Sequence, residues 1–208
     1  MTNNYWQLKH GFILASGSPQ RKALLERVRL VPDKIVSPDI CEELLPNELP
    51  RRYVQRIAIQ KARAVAKQYP NTCVLAADTV LAVGRRIIRK ATDENEAKSH
   101  LLLLSGRKHH VITGLCIITP AGKEIIRVNS TAIILKKLSE TDIQFILKSN
   151  EWQHVAGYRI EGIIAAFVKQ MCGSYDSVVG LPTYEVVQIM RCLCKNREFF
   201  ICFNKISF

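Results

Sequence analysis

Two periodicities alternate along the chain. Phe12 to Ala15 is a short, continuous apolar run of the kind buried in a sheet. After Ser16-Gly17-Ser18-Pro19 the apolar positions Ala23, Leu24 and Leu25 return with helical spacing, which predicts a strand followed by a helix over Pro19 to Val28. A longer helix is predicted from Pro50 to Tyr69, because Val54, Ile57, Ala58, Ala62, Val65, Ala66 and Tyr69 form one stripe at about 100° per residue. TCVLAADTVLAV is β-branched and apolar and reads as a central strand, either continuous or broken at Asp78, with Gly84-Arg85 turning it back into Arg86 to Lys90. Thr92 is placed to cap a helix through about Leu104, with Asp93, Glu94 and Glu96 near its positive end and Gly106 just past its close. Strands over His110 to Thr119 and Ile125 to Leu135 are joined by the turn Pro120-Ala121-Gly122. Ser139 with Asp142 forms a capping box for a helix ending near Asn150. Ile163 to Lys169 reads as a strand, and a last helix begins at Thr183 with Val186, Val187 and Met190 on one face. This order predicts an α/β fold with a mixed sheet.

Two residues depart from the pattern. Asp78 sits between Val74, Leu75, Ala76 and Ala77 on one side and Val80, Leu81 and Ala82 on the other. An unpaired buried carboxylate costs several kcal/mol or shifts its pKa, so an acid here either meets a metal, a cation or a catalytic task, or turns outward at a strand end. Lys61 falls near the middle of the apolar stripe of the long helix, almost directly down the axis from Val54. It either snorkels to solvent or reaches inward to an anion such as Asp78 or a phosphate.

The loop in LASGSPQRK has the form of an anion site, since unpaired amides and the macrodipole at a helix start both favour negative charge. The same letters also make a plain helix cap, with Ser18 at the N-cap and Pro19 at the first turn. Lys90 and Glu42 are not singled out by physics alone. GSYDSVVGLP offers two glycine turns and backbone amides near a helix start, which either cradle phosphate or only make corners.

Composition narrows the class of partner. The 208 residues carry 30 Lys+Arg against 18 Asp+Glu, a formal charge of +12, which favours an anionic partner without choosing among nucleotide, nucleic acid and membrane surface. The basic residues are scattered rather than set in one stripe with interleaved aromatics. The length suits one domain or two intimate lobes, and residues 1 to 208 are taken as one domain with a tail from about 195 to 208. No run approaches the roughly 18 apolar residues of a membrane span, and MTNNYWQLKHGF lacks the order of a signal peptide, so the expected location is the cytoplasm. Seven cysteines without a CxxC pair fit reduced thiols, with Cys73, Cys116 and Cys172 expected as core fillers. His109 and His110 are adjacent on a strand and point to opposite faces, against a shared metal.

Taken in order, LASGSPQR, AADT at 76 to 79, RK at 89 to 90, LSGRKHHVITG, AGYRIEG and GSYDSVVGLP resemble the motif blocks of the Maf family of nucleoside triphosphate pyrophosphatases, from about residue 13 to 194. The resemblance implies a Maf/ITPase-like fold, two lobes around a central twisted mixed sheet flanked by helices, with a nucleotide cleft between them. It implies that Arg21 contacts phosphate with Ser16 and Ser18 in the same loop, and that Glu42 and Asp78 hold a divalent metal, Mg²⁺ or Mn²⁺. Lys61 and Lys90 would neutralise the triphosphate, and Asp78 would be the proton acceptor for attacking water. Hydrolysis at the α-phosphorus would then give a nucleoside monophosphate and pyrophosphate, a housecleaning activity. Chemistry agrees, since in-line attack on a polyanion needs a base, cations and a metal bridging oxygens.

Three positions sort the family by base. The dTTP and UTP branch carries Arg, Thr and Gln; the 7-methyl-GTP branch carries Trp, Gln and Glu. Here they are Gln20, Thr79 and Glu161, a mixed signature that leaves both substrates open. Ala91 stands where the family usually has Pro, Gln153-His154-Val155 replaces a Gly-Lys style run, and the tail CLCKNREFFICFNKISF is unusually aromatic, either packing on the domain or covering a dimer contact. The expected partner is the nucleotide, with no stable nucleic acid partner and no membrane; a homodimer is implied by the resemblance alone. The competing expectation is a non-catalytic nucleotide- or nucleic-acid-binding regulator of cell division.

Overall fold

A computed structural model describes residues 10–153 and 155–195. Its centre is a seven-stranded mixed sheet built from β1 (Phe12–Leu14), β2 (Lys34–Ile35), β3 (Cys73–Val83), β4 (Arg86–Ile88), β5 (Lys108–Ile118), β6 (Glu124–Leu135) and β7 (Val168–Cys172). The order is β2-β1-β3-β5-β6-β7, with β4 also paired to β3. β1 runs parallel to β2 and β3, and the other pairs are antiparallel. The helices are α1 (Pro19–Arg27), α2 (Pro50–Ala66), α3 (Glu94–Leu104), α4 (Glu140–Lys148), α5 (Tyr175–Val179) and α6 (Thr183–Lys195). The predicted α/β class with a mixed sheet is the observed one.

The pairing of β3 opens the molecule. β5 pairs with it continuously from Val74 to Ala82, which is why Asp78 does not break the strand. On the other edge, β1 pairs with Cys73 to Leu75 and β4 with Leu81 to Val83. The stretch between them, which contains Asp78 and Thr79, is left without a strand neighbour on that edge among the described residues.

Each face of the sheet packs differently. α2 covers one face, its Ala58, Ala62 and Val65 against Val74, Ala76 and Cys116, and its Val54 against Val80, Ala82 and Ile112. On the other face, α1 and α6 form a cluster through Leu25, Leu75, Ala77, Leu115, Val186 and Met190. A second cluster on that face joins Leu81, Val111 and Ile133 to Leu101 and Leu104 of α3 and Ile143 and Leu147 of α4. A buried aliphatic side chain contributes about 1.5–3 kcal/mol relative to exposure. Between these clusters that gain is given up: Thr79, Thr113 and Asn129 pair in register across β3, β5 and β6 as a polar row. α5 closes over the row, with Val179 packed against both clusters.

Several local expectations shift. The long helix ends at Ala66 rather than Tyr69. Asp93, not Thr92, is the N-cap of α3: its carboxylate accepts from the Glu96 amide, while the Thr92 amide and hydroxyl donate to the Glu96 side chain. The capping box of Ser139 and Asp142 on α4 is present. Residues Ile163–Phe167 form a 3-10 helix rather than a strand, because the Glu151 carboxylate accepts the Ile163 amide and β6 pairing begins only at Val168. Cys73 and Cys116 are buried as expected, but Cys172 is exposed, since it ends the edge strand β7. His109 is buried and His110 only half-buried, in keeping with opposite faces. No helix among the described residues is long and apolar enough to cross a membrane. Residues 196–208 of the tail and His154 lie outside the described residues.

Candidate active site

A cleft of about 890 Å³ opens over the unpaired edge of β3. Its floor carries Asp78 and Thr79; its walls come from the start of α1, the 42–44 loop, α2, the end of β4, the 155–161 loop and α5. Of the residues predicted from sequence, Ser18, Gln20, Arg21, Glu42, Lys61, Asp78, Thr79, Lys90 and Glu161 all line it. Ser16 does not: it is buried behind Arg21, where its hydroxyl accepts from the guanidinium at 2.9 Å. The loop is therefore both a cap and a cleft wall. Ser18 accepts from the Arg21 amide to start α1, and Arg21 itself is aimed by Ser16 and by the carbonyl of Gly180, at 2.9 Å. Gly180, with φ of 135°, ends α5 in a conformation that glycine adopts without strain. GSYDSVVGLP thus makes a corner that positions Arg21.

Lys61 reaches inward. It is 8% exposed, and its ammonium lies 2.8 Å from Asp78 Oδ1 and 2.8 Å from Glu42 Oε1. Asp78 is 6% exposed, and burial raises its pKa above the ordinary carboxylate value, opposed by the charge and hydrogen bond of Lys61 and the charge of Arg21. Its other oxygen, Oδ2, makes no hydrogen bond among the described residues. Gly114 makes this arrangement reachable. It pairs with Asp78 across the sheet, and a Cβ there would fall 2.3 Å from the Val54 carbonyl oxygen, so only glycine lets α2 approach closely enough.

Glu42 is held by contacts that sequence inspection missed. The Tyr53 hydroxyl donates to the Glu42 carbonyl at 2.9 Å, and Arg56 donates to the Glu43 carbonyl while gripping the Glu48 carboxylate with two nitrogens. Burial, with Asp78 and Glu42 nearby, pushes the Tyr53 phenol up to about 12, so it stays protonated. On the opposite wall Tyr158 lines the cleft and hydrogen-bonds His109 Nε2 at 2.6 Å. Burial lowers His109 to about 4, so its ring is neutral; Nε2 accepts from the Tyr158 hydroxyl and Nδ1 donates toward the Arg107 carbonyl. Arg89 and Arg159 add further cations to the cleft. Their signal was present in RIIRK and AGYRIEG as charge beside quoted motifs; Tyr53 and Gly114 had none beyond a glycine inside a β-branched strand.

Among the described residues no three His, Cys, Asp or Glu side chains cluster as a metal cage. Two hard carboxylates, Asp78 and Glu42, line the open cleft, each with one oxygen on the Lys61 ammonium. This donor set suits Mg²⁺ or Mn²⁺ shared with substrate phosphates, since Mg²⁺ is held by one or two carboxylates plus phosphate oxygens rather than by an all-protein cage.

The Maf-like protein family model matches residues 11–193. A dTTP/UTP pyrophosphatase of Gluconobacter oxydans is 45% identical over 185 residues, covering 86% of this chain and 85% of that protein. One from Caulobacter vibrioides is 44% identical over 179 residues, covering 86% and 93%. Among solved structures, a HAM1 protein from Coxiella burnetii aligns with a TM-score of 0.49 at 17% identity, over 88% of this chain and 98% of that one.

Proposed function

From the premise that this chain belongs to the Maf family, we propose that it hydrolyses the pyrimidine triphosphates dTTP and UTP at the α-phosphorus, releasing the nucleoside monophosphate and pyrophosphate as a cytoplasmic housecleaning enzyme. The observation that carries this is a buried carboxylate of raised pKa, Asp78, hydrogen-bonded to a buried lysine on the floor of a cleft with Arg21, Arg89, Lys90 and Arg159 in its walls. Two relatives named for dTTP and UTP, and Thr79 in the signature, favour pyrimidines; Gln20 and Glu161 are this chain's departures.

Asp78 Oδ2 takes the proton of a water that attacks the α-phosphorus. The bond from that phosphorus to the bridging oxygen breaks, and pyrophosphate leaves with the electron pair. A raised pKa brings a carboxylate closer to the working pH of a general base. Lys61 orients Asp78 through Oδ1 and favours its ionised form, while Arg21 and Lys90 meet charge that spreads over the phosphoryl oxygens. Asp78 and Glu42 are the residues that would hold Mg²⁺ or Mn²⁺, which when bound supplies Lewis-acid polarisation of the phosphate.

Purified protein is incubated with dTTP, UTP, CTP and 7-methyl-GTP plus Mg²⁺ or Mn²⁺ in heavy-oxygen water. Monophosphate and pyrophosphate are expected, fastest from dTTP and UTP, with the heavy oxygen in the monophosphate. Diphosphate with orthophosphate, or label in pyrophosphate, overturns attack at the α-phosphorus. A clear preference for 7-methyl-GTP overturns the pyrimidine assignment.

A further inference from the structure

Thr79 and Thr113 lie side by side in the register of β3 and β5, within the polar row that separates two apolar clusters. Thr113 is fully buried, and Thr79 lines the cleft. The Thr113 hydroxyl lies 2.7 Å from the carbonyl oxygen of Ser177, and a carbonyl can only accept, so Thr113 donates there. A threonine hydroxyl has one proton. The 2.9 Å contact between the two threonine oxygens therefore has a single polarity, with Thr79 donating and Thr113 accepting. The Ser177 carbonyl is itself fixed. Ser174 caps α5 by accepting the Ser177 amide, and the Ser174 backbone is tied at both its amide and its carbonyl to the Thr131 hydroxyl of β6.

The consequence falls on the cleft. With its proton committed to Thr113, the Thr79 oxygen has only lone pairs left to offer. Phosphate oxygens and base carbonyls are acceptors too and find no bond there. An N–H or O–H of the nucleoside does. Sites of this kind discriminate by leaving the wrong partner unpaired.

We infer that Thr113 is a positioning residue for substrate selection: by accepting the Thr79 proton it makes Thr79 an acceptor-only group, which reads a donor on the nucleoside rather than the triphosphate. The donor is a base ring N–H, as in uracil and thymine, or the sugar 3′-hydroxyl that dTTP and UTP share. This inference rests on the nucleotide function proposed above and adds the direction of one hydrogen bond to it.

The test compares wild type, Thr113→Val and Thr113→Ser on UTP, CTP and 3′-deoxy-UTP. CTP has the shape of UTP with the N3 donor replaced by an acceptor and the O4 acceptor by an amine, and 3′-deoxy-UTP lacks the 3′-hydroxyl donor while keeping the 2′-hydroxyl. Wild type is expected to discriminate roughly tenfold or more in kcat/KM against one of the two, through KM rather than kcat. CTP identifies the base as the source and 3′-deoxy-UTP the ribose. Valine keeps the volume of threonine but accepts nothing, so Thr79 regains its proton for the cleft and the ratio falls severalfold; Thr113→Ser restores it. A wild type that accepts all three equally, or a folded Thr113→Val with the wild-type ratio, overturns the inference. If Thr113→Val does not fold, Thr79→Val takes its place: loss of the discrimination supports the inference and its retention overturns it. Absence of turnover on every nucleotide defeats the proposed function instead. Calorimetric binding of UTP, CTP and 3′-deoxy-UTP then makes the same comparison, equal affinities overturning the inference and unequal ones supporting it.

Discussion

Adjacent residues on one strand give the cleft opposite kinds of polarity. Asp78 lies on the face of β3 covered by α2, where it meets the Lys61 ammonium and, through it, the half-exposed Glu42. Thr79 lies on the other face, where Thr113 and the α5 backbone form a neutral chain of hydroxyls, and where His109 and Tyr158 form a second neutral pair. The charged face works through energy: one ammonium is shared by two carboxylates, so removing it leaves both without their direct counter-charge. The neutral face works through direction: each proton has one place to go, so substitution changes what is recognised more than how much is bound. In a triphosphate the polyanion needs the first kind of surface and the nucleoside the second.

The largest break in this contrast comes from the charged side. Asp78→Asn keeps the shape and removes the proton acceptor. Turnover is expected to fall by between about 10² and 10⁴, the usual range for a general base, with KM little changed and the fold intact by circular dichroism. Turnover within a few-fold of wild type would remove Asp78 from the chemistry. Lys61→Met acts on the same cluster through stability. Losing one partner of a buried ion pair costs about 3–5 kcal/mol, because Asp78 is left without its hydrogen-bonded counter-charge. Asp78 already holds its proton more tightly than a free carboxylate, so the unpaired acid is relieved by protonation. The deficit measured by urea unfolding is therefore expected to shrink as pH is lowered. A deficit that does not change with pH would mean that Lys61 contributes packing rather than charge.

The neutral face has its own titration, of opposite origin. His109 is neutral because burial lowers it from 6.5 to about 4. A base whose folded pKa is depressed binds fewer protons folded than unfolded between these values, so stability rises with pH there. Its contribution is complete above about 6.5 and is lost as pH falls toward 4, by up to about 3 kcal/mol. Protonation would also place a second donor against the Tyr158 hydroxyl, which already donates to Nε2. His109→Gln is expected to be less stable at neutral pH yet to show a flatter decline between pH 6.5 and 4. Equal slopes in the two proteins would assign the acid lability to other groups.

The two faces were unequally legible in the sequence. Asp78 and Lys61 stood out because charge inside an apolar stripe or strand violates its local pattern, and nothing but position along the chain was needed to see it. The order of the longer strands and helices was legible for the same reason, and two of its errors fell where a single side chain decides a boundary, as Glu151 does at Ile163 and Asp93 does at the start of α3. Thr113 and His109 gave no such signal. A threonine in a strand is ordinary, and its role depends on which carbonyl lies above it 64 residues later in the chain. Gly114 falls between: a glycine inside a strand marks a close approach, but only the packed structure identifies Val54 as what approaches. Cys172 was misplaced because apolar neighbours do not distinguish a central strand from an edge.

The smallest effect separates direction from energy within the charged face itself. Tyr53 carries no charge, yet its hydroxyl donates to the Glu42 carbonyl at 2.9 Å, and its phenol, pushed up to about 12, keeps that proton at neutral and mildly alkaline pH. Tyr53→Phe removes one neutral hydrogen bond, worth about 1 kcal/mol, and leaves the Lys61 cluster and the Arg56 grip on Glu43 and Glu48 in place. Glu42 then keeps its charge and loses part of its placement. If Glu42 helps to hold the divalent ion, the half-saturating Mg²⁺ concentration should rise about fivefold, the equivalent of that hydrogen bond, while kcat at saturating Mg²⁺ stays at the wild-type value. The shift should be the same across neutral and mildly alkaline pH, since Tyr53 does not ionise there. A fall in kcat at saturating Mg²⁺ would instead put the Tyr53 hydroxyl in contact with the reacting nucleotide, and the charged face would then owe part of its chemistry to a neutral donor.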